Sequence, residues 1–322
     1  MTMRSFYSFL AAPFLACALA AVAQEYPTHP VKLVIPQGPG SGADVVGRML
    51  ADKLSIELRQ PVVVENRPGA NGILASTTVM KEPPDGYTLF LTSVSLVSFN
   101  QYLYKKVPYT QADFTFIAPV AEASFVLIAS HASGIKSWDD LVKRARANPD
   151  RVTFASAGVG NSTHLYTEMI ARRSGIQLRH IPYNGSGPGL TSVVAGQTDV
   201  MVATTAAALP QILGGKVVAL AVSGDARSPD LPNVPLLKDL APSIPALPGW
   251  YALVGPAKMD PGVVRKIHAA VEKFVDDPAI ATKLTAQYLA PLHGSGADIR
   301  KRGEVEAGLW GGLIHDLKIE AD

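Results

Sequence analysis

The segment Val31–Arg48 (VKLVIPQGPGSGADVVGR) constrains the fold of this chain more than any other. Its apolar opening, 31–35, reads as a buried strand, 38–42 as a glycine-rich loop, and the residues from about Asp44 as an amphipathic helix. A strand, a tight loop and a helix in that order are the first unit of an α/β domain. Glycines let the backbone approach a ligand closely, and a helix start offers unpaired N–H groups and partial positive charge to an anion. The loop holds no Lys, Cys or His, so it is suited to holding a molecule rather than reacting with it.

Three readings of this unit stand open. Gly38, Gly40 and Ala43 fit the dinucleotide pattern G-x-G-x-x-G/A, and Glu65 follows a second strand (61–64) about where a ribose-binding acid would sit. The same residues suit a carboxylate cradle in a solute-binding protein. They also suit an ordinary βα turn.

The beginning of the chain bears on this choice. Arg4, an apolar run over 6–20 and the small residues Ala21, Val22 and Ala23 before Gln24 form the pattern of a secretory signal peptide, 1–23, cleaved after Ala23. Lipoprotein processing at Cys17 is the competing reading, but Phe14 stands where a small aliphatic residue is preferred. No later stretch is long and apolar enough to span a bilayer. Cleavage removes the only cysteine and one of 29 basic residues, leaving 28 against 27 acidic ones, a balance of +1. That charge is no footprint for nucleic acid. Export also disfavours the dinucleotide reading, since free nicotinamide cofactors are cytosolic, and no cofactor is expected.

Strands and helices alternate along the mature chain, the pattern of α/β domains with largely parallel sheets. After the first unit come a turn over 66–72, a helix to about 82, a strong turn at 83–86, and a strand over 87–92 with Ser93 and Ser95 at its carboxyl end. A second series starts near Phe125: a strand at 125–129, a helix opened by Ser137, and a strand at 152–156. A second glycine loop follows, holding Gly160, Asn161, Ser162, Thr163 and His164. A strand at 179–182 then precedes Tyr183 and Asn184, a strand at 199–203 ends in Thr204 and Thr205, and another covers 217–222. Six prolines within 229–248 mark an irregular return path. A strand at 251–254 and an amphipathic helix at 261–275 rejoin the first series. The expected division is 24–124 with 250–322 as one discontinuous domain and 125–249 as the other, with hinges near Phe125 and Trp250.

Two glycine loops, one per half, imply a cleft with a binding surface on each side. Ser41, Asn161, Ser162 and Thr163 suit helix capping and ligand binding alike. Asp44 suits capping better than contact with an anion. Ser162 and His164 do not make a catalytic dyad, because the segment lacks the closing glycine of a nucleophile elbow. Asp139–Asp140 and Asp276–Asp277 read as helix caps, and no metal-ligand spacing is present among the histidines. The basic groups at 143–146 and 300–302 read as solvated helix faces.

Several blocks, in order, resemble one known family: 30–36, Pro39-Gly40, Asp44 with Arg48, 65–72, 84–89, 158–165, 180–185, 195–199 and 219–222. They resemble the substrate-binding proteins of tripartite tricarboxylate transporters, the Bug family, over essentially the whole mature chain. The resemblance implies a two-domain, type II "Venus flytrap" of the periplasmic-binding-protein class, working as a monomer in the periplasm. It implies a small organic acid held in the cleft by amides, hydroxyls and water, then passed to a permease of one large and one small subunit. On this reading the ligand-binding residues are Gly38, Gly40, Ser41, Gly42, Ala43, Asp44, Ser93, Ser95, Gly160, Asn161, Ser162, Thr163, His164, Tyr183, Asn184, Thr204 and Thr205. The sequence departs from the family at Gln37, where an aromatic residue is common, at Ser41 for glycine, at Asn184 for lysine, and at Ser192 for an acid. An exported oxidoreductase using the 38–43 loop, or a ligand sensor for a signalling receptor, are the alternatives.

Overall fold

The computed structural model of the protein describes residues 26–223, 230–244 and 248–320. The expected signal peptide, Cys17 and parts of the proline-dense return path lie outside those residues.

The chain opens with β1 (Val31–Ile35), α1 (Gly42–Leu58), β2 (Val62–Asn66), α2 (Ile73–Val79) and β3 (Thr88–Ser93). A π-helical turn, Ser95–Phe99, runs into α3 (Asn100–Leu103) and then β4 (Phe114–Ala123). Past Ser124 come β5 (Phe125–Ser130), α4 (Trp138–Ala147), β6 (Thr153–Ser156), α5 (Ser162–Arg173), β7 (Arg179–Pro182), α6 (Ser186–Val194), β8 (Val200–Thr204), α7 (Thr205–Leu213) and β9 (Val217–Val222). The chain then returns through α8 (Leu237–Leu240) to β10 (Gly249–Pro256), α9 (Pro261–Val275), α10 (Pro278–Thr285), β11 (Leu289–Pro291) and α11 (Gly296–Leu317).

Two sheets result, in the orders β11-β4-β10-β3-β1-β2 and β7-β6-β8-β5-β9. The expected largely parallel sheets are mixed. β1 is parallel to β2 and β3, and β6 to β7 and β8, but β10 opposes both β3 and β4, and β5 opposes both β8 and β9. The reason is topological: each opposing strand is the first one laid down after the chain crosses between sheets. It enters where its neighbours end, so it must run against them. This arrangement is the type II form expected of a two-domain binding protein.

Local signals set the helix ends. Ser41 caps α1 by accepting the Asp44 N–H, Ser137 caps α4, and Asn161 caps α5 through the Thr163 N–H. Asp260 and Asp277 cap α9 and α10, each followed by proline in the first turn, where a missing N–H costs nothing. Asp276 instead closes α9.

The ten-residue strand β4 was not expected from the sequence, because Pro119 argues against a central strand. A register shift in the β4–β10 pairing, between Tyr251 and Ala252, places Pro119 opposite Ala252 and absorbs the irregularity. Arg302 corrects the solvated-face reading. It bonds to Glu306 (2.8 Å) and to Glu122, while Glu306 also accepts from the Trp250 indole (2.8 Å). A hydrophobic cluster joins the halves, with Trp310 of α11 packed on Phe99 (4.7 Å between ring centres) and Tyr166 (5.9 Å).

Candidate functional site

The carboxyl ends of the two sheets face each other, and a cavity of about 260 Å³ lies between them. One side is built by Gln37 after β1, the loop 68–72 after β2, and Ser93, Leu96 and Tyr104 after β3. The facing side is built by 157–159 and Asn161 after β6 and by 182–185 after β7. Strand ends at a sheet's switch points are where open α/β sheets bind ligands. Among the described residues, no Lys, Arg, His, Asp or Glu side chain lines this cavity. A smaller void beneath it, about 20 Å³, is lined by Ser162, Thr163, Ser186, Thr204, Trp250 and Tyr251, among others. Thr204 Oγ1 is buried there with no hydrogen-bond partner among the described residues. Burial raises the Tyr251 phenol above its ordinary range.

Of the expected site residues, Ser93, Asn161, Tyr183 and Asn184 line the main cavity, and Ser162, Thr163 and Thr204 line the floor void with Ser93 and Asn161. Ser95 accepts the Ser162 N–H across the cleft (3.3 Å). Thr205 is fully buried at the crossing, where its hydroxyl meets Ser124 (3.1 Å). The first glycine loop supports the site without lining it. Gly38, Gly40, Ser41, Gly42, Ala43 and Asp44 are absent from both cavity linings. Asp44 accepts from the Gly40 N–H (3.0 Å), Arg48 (3.1 Å) and Asn66 (3.0 Å), so it pins the loop. Burial pushes its carboxyl up, but those bonds outweigh burial and hold it below the usual range. Gly42 packs so closely that a Cβ would sit 2.6 Å from Thr204 Oγ1. Glu65, the would-be ribose acid, is engaged by Arg67 and Lys32.

Sequence reasoning missed Asn71, a second residue that links the two sides. Its Nδ2 donates to Asn100 Oδ1 (2.7 Å) and to the Gly160 carbonyl (3.2 Å), while its Oδ1 accepts from Asn161 Nδ2 (3.1 Å). The available signal was the dipeptide 70–71, flanked by Gly69 and Gly72 at the end of the 66–72 turn. Ala70 and Asn71 hold positive φ (45° and 47°), a conformation that non-glycine residues adopt at some cost. Removing Asn161 also removes the cap of α5, worth about 1 kcal/mol. Asn161→Ala will therefore lower both thermal stability and ligand affinity, whereas Asn71→Ala will lower affinity with a smaller stability loss. Paired melting and titration curves separate the two effects.

His164 does not line the cavity. Its Nδ1 accepts the Gly160 N–H (3.0 Å), and its ring stacks on His180 at 3.8 Å. His180 in turn meets Ser156 Oγ (2.6 Å), which accepts the Gly158 N–H (3.1 Å). Two imidazoles thus brace the second glycine loop. Burial, with the neighbouring His164 adding to it, pushes the His180 pKa down from 6.5 to about 3. The unfolded chain therefore takes up a proton that the native state refuses as pH falls from about 6.5 towards 3. Stability conferred by neutral His180 is complete above that window and is lost within it. His180→Gln, which cannot titrate, will show a shallower fall of melting temperature over the same range. Parallel slopes would clear His180 of that role.

A family model described as "Tripartite tricarboxylate transporter family receptor" matches residues 46–319. The chain belongs to this family. Among such receptors and related proteins, BugT of Bordetella pertussis (strain Tohama I) is 30% identical over 311 residues, which cover 96% of this chain and 94% of BugT. A solved structure described as R. palustris Rpa4515 with adipate superposes with a TM-score of 0.87 at 27% identity, covering 92% of this chain and 99% of that one. MatC (Rpa3494) of Rhodopseudomonas palustris with bound malate superposes with a TM-score of 0.84 at 26% identity, covering 90% and 100%. The resemblance read from the sequence blocks is thereby established, and with it the solute-binding receptor fold.

Proposed function

We propose that this receptor works in the periplasm, closes on a small organic carboxylate in the cavity between its sheets, and presents it to a tripartite tricarboxylate permease. The uncharged lining carries the reading. A carboxylate buried without a cationic side chain must be met by backbone N–H groups, hydroxyls and carboxamides, and the α5 start with its Asn161 cap stands at the cavity. That the related Rpa4515 and MatC hold adipate and malate supports the same ligand class.

In this mechanism the positive end of α5 and the Val159 N–H, the one amide of the second glycine loop with no partner among the described residues, meet the acid. Asn161, Asn184 and Tyr183 orient it from one side, and Ser93, Asn71 and Gln37 from the other. Domain motion pivots at Ser124, whose backbone and hydroxyl bond to Thr205 and Tyr288, and near Trp250. Bonds such as Asn71–Asn161 exist only when the sides meet, so a ligand touching both sides favours the closed form by its differential affinity. The signal-peptide reading of 1–23 and the domain division at 124/125 and 249/250 belong to this proposal.

Thermal-shift titration with succinate, malate, adipate, citrate and NAD tests it. An acid at 100 times its Kd will stabilise the protein by about 2.7 kcal/mol. A response to NAD with none to any acid would overturn the receptor reading in favour of a dinucleotide site.

A further inference from the structure

A second cavity, about 300 Å³, lies wholly within the first lobe and is assigned no role by the cleft mechanism. It is the size of a small-molecule site and has the usual character of one: apolar walls with a few polar groups. Val97, Val107, Phe114 and Phe116 supply apolar surface, three of them only partly buried. Ser76 Oγ is buried in the lining without a partner among the described residues, and two further polar features define what the cavity takes. Gln111 donates through Nε2 to the Val97 carbonyl (3.2 Å), which fixes the orientation of its amide and leaves Oε1 buried with no partner among the described residues. A buried acceptor left unpaired is costly, and a ligand donor would relieve it. Lys105 also lines the cavity, exposed, with no carboxylate partner among the described residues.

We propose that this cavity is a second ligand site that takes a small aromatic carboxylate bearing a hydroxyl group. The ring lies between the phenylalanines and valines, the hydroxyl donates to Gln111 Oε1, and the carboxylate meets the Lys105 ammonium. The charge at the rim and the orphan acceptor inside together demand a molecule with an anionic end and a donor end. A purely apolar occupant satisfies neither. Leu96 and Tyr104 line this cavity and the cleft alike, so an occupant here acts on the cleft through those two side chains.

Calorimetric titration of the full chain with 4-hydroxybenzoate, benzoate and phenol decides the matter. The wild type will bind 4-hydroxybenzoate about tenfold more tightly than benzoate, the worth of one good hydrogen bond. Gln111→Leu will abolish that preference while still binding benzoate, which shows that its cavity is intact. Lys105→Gln will weaken both acids and leave phenol unchanged. Val107→Trp, which fills the cavity from a partly exposed position, will remove all three, and Asn184→Ala on the far side of the cleft will still bind all three. The proposal fails if 4-hydroxybenzoate shows no saturable binding, or if Gln111→Leu keeps the hydroxyl preference. It fails equally if Asn184→Ala abolishes binding, which would place the molecule in the cleft. The cleft reading is untouched by any of these results, since it rests on the response to aliphatic acids.

Discussion

Replacing Gly187 by valine will hold the two lobes apart and weaken ligand binding about ten- to a hundredfold. Gly187 sits in the first turn of α6, and a Cβ there would lie 3.0 Å from the Pro39 carbonyl oxygen on the opposite lobe. No other atom of the surroundings comes within 4 Å. Backbone cannot swing aside as a side chain can, and valine adds two methyl groups beyond Cβ. Relieving such overpacking costs about 1–3 kcal/mol, and here the cost falls on the closed form. Opening the cleft removes it, so the unliganded protein should melt near the wild-type temperature. Small-angle scattering will show a larger radius of gyration in saturating ligand than for the wild type. Unchanged affinity would mean that this contact is no part of the binding-competent form.

Gly296→Ala will be the most damaging single-methyl change outside the cleft. A Cβ at Gly296 would stand 2.0 Å from the Phe116 carbonyl oxygen and 2.6 Å from its carbon, both backbone atoms of β4. The start of α11 must then lift off the sheet. Further along that helix lie Arg302, Glu306 and Trp310, which tie it to Glu122, Trp250 and Phe99. A cost near the top of the overpacking range, about 3 kcal/mol, corresponds to a fall of about 5 °C in melting temperature for a chain of this length. Gly312→Ala is the control: it lies in the same helix with nothing within 4 Å, and it should stabilise by up to about 1 kcal/mol through helix propensity. Equal melting temperatures for the two variants would refute the packing account.

The features legible beforehand were those whose cause is local. The strands β1 and β9 and the helix α9 fall where apolar runs and caps placed them, because a β-branched run or a Ser or Asp before a helix acts within a few residues. β4 was not legible, since its Pro119 is tolerated only through a register shift made with β10, more than 130 residues further on. The same divide runs through the site. Asn161, Ser162 and Thr163 could be named from a glycine loop before a helix. Asn71 could not be ranked above any other turn asparagine, because its importance comes from Asn161 and Gly160 on the far side of the cleft. In the 38–44 loop the glycines are legible in the sequence, whereas the bracing of that loop by Asp44 depends on Asn66, 22 residues further on.

The order of residues alone determined the alternation of strand and helix, the presence of a glycine loop in each half, and the family, since each depends on short-range chemistry or on blocks in series. Tertiary structure decided which strands run backwards, which loop faces the cavity, and that the cavity lining is uncharged. Those properties belong to pairs of segments far apart in the chain. They come into being only when two sheets, joined at Ser124 and the return path, turn their carboxyl ends toward one another.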